Sequence, residues 1–212
     1  MKNKKDAASK NIIKKISLNN KDSGEEKIRI KKDLPLKEIL KRAPPCMCEA
    51  CNNGCKFGSG ALVVNEQLKL NDLKNIAKHL KISEEDLKKN YLEEIERFNT
   101  KIFRPKLLRK RNAEGKELPF GRCIFYDDKN GCKIHEVKPV ECKISMGCKE
   151  YSEQLSQWFM LNFFVNSKDP ESIRQFNAYL KAGGKTLADG KLSDIIPDKK
   201  LLAKILDYEI LS

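Results

Sequence analysis

The sequence predicts a mainly α protein with a small cysteine-rich β-hairpin and loop core that binds a metal. Three observations carry that expectation. Apolar residues recur at helical spacing in several segments, as in Leu73, Ile76, Ala77 and Leu80. All eight cysteines fall in two clusters. Within the second cluster, Asn130-Gly131, a strong turn dipeptide, separates two short apolar runs.

Along the chain, residues 1–33 come first. They hold eleven Lys or Arg against five Asp or Glu and few large apolar side chains, so a basic, disordered tail is expected. Residues 34–150 read as the cysteine-cluster domain and 151–212 as a helical extension packed on it. Leu36, Ile39 and Leu40 suit a short amphipathic helix that Pro44 and Pro45 stop. Gly54, Gly58 and Gly60 make the next stretch a loop, and Ala61 to Val64 reads as a short strand. Asn71 or Asp72 can cap one helix. Ser83, followed by Glu84, Glu85 and Asp86, can cap another, whose apolar positions are Leu87, Tyr91, Leu92, Ile95 and Phe98. A loop is expected from Gly115 to Gly121.

Cys123 to Tyr126 and Cys132 to His135 then read as the two strands of a hairpin turning at Asp127 to Gly131. A helix starts between Val137 and Cys142, with Pro139 in its first turn. Three more helices follow, over residues 151–165, 170–180 and 197–211. The first carries an aromatic stripe with Trp158 and Phe159, which reads as core.

Charge narrows the function classes. The chain of 212 residues carries a net charge of +13, six units of it in residues 1–33. A surplus of this kind suits nucleic acid or an acidic partner. The densest block is Lys101, Arg104, Lys106, Arg109, Lys110 and Arg111, interleaved with Phe103, Leu107 and Leu108. No helix-turn-helix, zinc-finger or RNA-binding sheet pattern accompanies it. The longest apolar run, Trp158 to Val165, is far too short to span a bilayer. A cytoplasmic protein that engages no membrane is expected, since no signal-peptide stretch follows Met1. In that compartment thiols stay reduced, which favours metal ligation over a disulfide framework.

The first cluster holds Cys46, Cys48, Cys51 and Cys55; the second holds Cys123, Cys132, Cys142 and Cys148. Short spacing lets one loop aim several sulfurs at one point. As 67 residues lie between Cys55 and Cys123, the clusters meet only through folding. Zinc or a four-iron cluster each takes four protein ligands, so the set serves one site with spare thiols, or two sites. An all-sulfur set suits either metal, and the surplus beyond four favours iron–sulfur, of the [4Fe-4S] type, over zinc. The order x2 before x3 is the reverse of the loop used by radical enzymes, and the ferredoxin run does not match either. His135 is expected to pack rather than ligate, and His79 to lie on the surface. No Ser/His/Asp set, phosphate loop or carboxylate pair marks a reaction, and whether the protein is an enzyme stays open.

The clusters resemble a family named for its CxxCxxCC pattern, also called YkgJ-like, described as zinc- or iron-chelating. Cys48, Cys51 and Cys55 stand for its early cysteines. The stretch CIFYDDKNGCKIHEVKPVECK, with Cys123, Cys132 and Cys142, stands for its late ones. Lys56 occupies the place of the paired cysteine, and His135 that of a tyrosine. Cys46 and Cys148 are extra and could replace the missing ligand. The resemblance implies metal chelation by the cysteines that fit its pattern, with Cys46 and Cys148 flanking them as further candidate ligands. It also opens an iron–sulfur role in electron transfer or as an oxidoreductase component, with an unknown redox or protein partner. A flagellin lysine methylase has a similar cysteine region, which makes a methyl-transfer association conceivable. The alternative is a structural zinc module whose basic surface binds nucleic acid or an acidic protein.

Overall fold

In the computed structural model, which describes residues 29–43, 54–144 and 151–207, helices and four small antiparallel hairpins pack around two large apolar cores and a small third one of Ile173, Ile196 and Ile205. The helices are α1 (Leu36–Arg42), α2 (Asp72–Leu80), α3 (Glu84–Tyr91), α4 (Val140–Ile144), α5 (Ser152–Phe163), α6 (Pro170–Lys181), α7 (Leu192–Ile195) and α8 (Lys199–Leu206). Residues 54–57 form a further helical turn, and His135–Val137 a 3-10 turn.

The caps form where the sequence places them. Asn71 accepts from the Lys74 N–H at 2.8 Å, and Ser83 from the Asp86 N–H at 3.0 Å, so both helices begin with a satisfied donor. Asp169 does the same for α6, which ends before Gly183 in a left-handed conformation.

The strands depart from expectation. β1 (Val64–Asn65) pairs with β2 (Leu70–Asn71); Ala61, Leu62 and Val63 are buried but are not part of the ladder. The helix expected to reach Phe98 ends at Tyr91. Leu92–Arg97 is instead strand β3, paired with β4 (Thr100–Pro105) through the two-residue turn Phe98-Asn99. Both turn residues have positive φ, 50° and 56°, as a primed hairpin turn demands. Phe98 tolerates this because its ring packs edge-on against Phe176 and Tyr179, at 5.3 and 5.5 Å between centroids.

The expected loop over Gly115 to Gly121 is largely strand as well: β5 (Leu107–Arg111) pairs with β6 (Glu117–Cys123). Here Gly121 is needed because a Cβ would lie 2.7 Å from the Leu108 carbonyl oxygen across the ladder. The basic block therefore becomes β4 and β5. Glu93 on β3 accepts from Arg104 on β4 and Arg109 on β5, at 2.7 and 2.6 Å, tying the two hairpins together.

The larger core gathers Ile39 of α1, Val63, Phe98, Ile144 of α4, Phe176 of α6, and Leu155, Trp158 and Phe159 of α5. Ordered packing reaches back to Ile30, which is fully buried and donates its N–H to Gln154. Trp158 donates to the Leu34 carbonyl. The second core joins Leu73, Ile76 and Ala77 of α2 to Leu87, Leu92, Phe125, Tyr126 and Ile134. One buried carboxylate links the two cores: Asp72 accepts the N–H groups of Val63 and Val140 at 2.8 and 2.9 Å. It thereby caps α4 from a distance of 68 residues in sequence. Among the described residues no helix is long and apolar enough to cross a membrane.

Candidate metal centre

Four cysteines lie within the described residues, and the fold brings them into one neighbourhood at the edge of the second core. Cys55 comes from the helical turn 54–57 and Cys123 from the end of β6. Cys132 comes from the short hairpin of β7 (Tyr126–Asp127) with β8 (Gly131–Cys132), and Cys142 from α4. The expected hairpin exists but is shorter than its sequence pattern. Cys123 belongs to β6 rather than to the hairpin, and His135 sits in the 3-10 turn rather than in a strand. Pro139 stands just outside α4, which starts at Val140.

Each thiol senses its neighbours. Burial and the adjacent Cys132 raise the Cys55 pKa. Burial, with Cys55 and Cys132 close by, pushes Cys123 up to about 12. Burial raises Cys132, partly offset by the Ile134 N–H and by Lys138. Cys142 is driven well above its usual value by burial, against an opposing hydrogen bond from the Gly60 N–H at 3.2 Å. As a residue Cys142 keeps some exposed area. The sulfur, which is the atom that titrates, lies in the notch over Gly60. A Cβ on Gly60 would meet both the nitrogen and the sulfur of Cys142 at 2.7 Å.

Without a cation, these groups are neutral thiols at physiological pH. A metal reverses that balance, because the thiolate is the ligating form. The donor set of Cys55, Cys123, Cys132 and Cys142 suits zinc or iron, both of which accept four sulfurs. Electrostatic reach is not ligating distance, however: among the described residues no three Cys, His, Asp or Glu side chains close into a group that could hold a metal ion. Cys46, Cys48, Cys51 and Cys148 lie outside the described residues.

The Lys138 ammonium acts on two of the thiols. It lowers the pKa of both Cys55 and Cys132. Sequence reasoning gave Lys138 no role of its own; its charge comes to the thiols from its place directly after the 3-10 turn His135–Val137. His135 is half-buried, with its pKa lowered by burial and by Lys138. His79 is exposed, and its Nε2 lies 3.2 Å from the Lys133 carbonyl.

A family model, CxxCxxCC, described as "Putative zinc- or iron-chelating domain", matches residues 47–162. The chain belongs to this family. The matched span covers more than half of the chain and holds seven of the eight cysteines, leaving only Cys46 outside it. Membership in the CxxCxxCC family supports zinc or iron binding as the class of function. No curated protein and no solved structure matches the chain.

Proposed function

We propose that this CxxCxxCC-family protein holds a thiolate-bound iron–sulfur centre that exchanges electrons with a partner. The observation that carries it is the meeting of Cys55 with Cys123, Cys132 and Cys142 across the 67 residues between the clusters. In this reading those four cysteines bind the metal together with, or in exchange for, Cys46, Cys48, Cys51 and Cys148. A centre of this kind supplies one-electron chemistry at a potential set by charge, hydrogen bonds and exposure. Lys138 offsets the negative charge of the thiolates, the Gly60 N–H donates to the Cys142 sulfur, and Phe125 and Ile134 shield the inner side of the site.

Burial of Cys123 among Leu87, Phe125 and Ile134 also favours a second reading, in which zinc closes the same thiols as a structural site. The basic surface would then be the working part, with nucleic acid or an acidic protein as partner. Anaerobic purification separates the two. An iron–sulfur protein is brown, absorbs broadly near roughly 400 nm, and gives an electron paramagnetic resonance signal in one redox state. Colourless protein with stoichiometric zinc would rule out the electron-transfer reading.

A further inference from the structure

We infer that the groove between the helical turn 54–57 and the β5–β6 hairpin is a docking surface for an acidic protein segment bearing an apolar anchor. The groove encloses about 530 Å3. Phe57 is 60% exposed, and Phe120 and Leu108 are each 46% exposed; with Leu118 they line one continuous apolar surface. Large apolar side chains gathered in this way mark a contact surface rather than scattered exposure.

Its rim fixes the sign of the partner. Lys56, Lys110 and Arg122 border the groove, against Asp128 as the acidic group. Asp128 pairs with Arg122 at 3.1 Å, but both side chains are well exposed, so the bridge is weak and exchangeable. Among the described residues neither Lys56 nor Lys110 has a carboxylate at ion-pair distance. An apolar floor inside a cationic rim matches an acidic segment with an apolar side chain at its centre.

The floor argues for protein rather than single-stranded nucleic acid. Phe57 and Phe120 meet edge to face, at 6.1 Å and 65°, and so present no pair of parallel stacking platforms. Leu108 and Leu118 offer aliphatic surface, which bases do not need. The groove also adjoins the thiols: Phe57 shares a helical turn with Cys55, and Phe120 and Gly121 lead along β6 into Cys123. That the docked segment belongs to the partner of the metal centre rests on the reading under Proposed function; the docking itself does not.

The test uses the full chain and a fluorescent synthetic peptide of alternating glutamate and leucine, with polyglutamate and single-stranded oligothymidine as the other probes. The Glu/Leu peptide is expected to bind more tightly than either, and to weaken as salt is raised. Phe57→Ala with Phe120→Ala, and separately Lys110→Glu, should each weaken it about tenfold or more while metal content stays at the wild-type level. Unchanged binding in both variants overturns the inference. So does equal binding of polyglutamate, or preferred binding of oligothymidine. Peptide binding by a chain that contains no metal would sink the metal reading and leave the docking surface standing.

Discussion

Gly60 leaves no room for a side chain. A methyl group there meets the backbone and sulfur of Cys142, so Gly60→Ala must push α4 away or turn the thiol. We expect a loss of about 1–3 kcal/mol and reduced metal content, read by denaturant unfolding and elemental analysis. Gly58→Ala is the control, since its Cβ would lie at an ordinary 3.8 Å from the nearest atom. Asp72 is the second residue on which the site depends. Removing its carboxylate strands two buried N–H groups, so Asp72→Ala should cost about 2–4 kcal/mol. Asp72→Asn should cost much less, because one oxygen accepts both bonds and an amide oxygen can replace it. Burial raises the Asp72 pKa in spite of the Val140 and Val63 N–H bonds and Lys143. The folded state therefore favours the protonated form, and the ionised carboxylate costs stability as pH rises through the folded value. Asp72→Asn should flatten that part of the pH–stability curve.

At the scale of elements, Glu93 joins three strands. Burial alone would raise its pKa, but the bonds from Arg109 and Arg104 outweigh burial and hold it low. A depressed carboxylate stabilises the fold above its unfolded value of about 4.3 and loses that contribution as pH falls through the folded value. Glu93→Gln should therefore cost about 1 kcal/mol near neutrality, with the gap to wild type closing in acid, as followed by thermal unfolding. The same strands show where sequence reading stops. Asn71 and Ser83 marked their helices because a cap is a local event between a side chain and an N–H three residues on. Leu92, Ile95 and Phe98 also fit a helical face, and Glu93, Glu94 and Glu96 suit a helix surface. Strand pairing prevails here through partners distant in sequence: Phe176 and Tyr179 hold the Phe98 ring, and Asp169 accepts from the Asn99 side chain at 2.7 Å. No local pattern reveals those contacts. Asn130-Gly131 did signal its hairpin, yet Cys123 pairs with Leu107 instead, a contact equally invisible in local spacing.

For the whole molecule, the approach of Cys55 to the second cluster was legible because no cysteine lies outside the two clusters, while the spacing left one site or two open. What spacing could not supply was the arrangement: Cys142 docked over Gly60, Cys123 arriving on β6, and Lys138 beside Cys55 and Cys132. Since binding free energy at such a site is also folding free energy, a chelator under reducing conditions should lower the unfolding temperature, and readdition of the metal should restore it. The proposed function requires these thiols to hold a metal. Metal per chain, measured by elemental analysis on anaerobically purified wild type and on Cys132→Ser, tests it most directly. Thiol-bound metal should appear as stoichiometric iron or zinc in wild type and be markedly reduced in the variant. A wild type without bound metal, or a variant that keeps its full content, would contradict it.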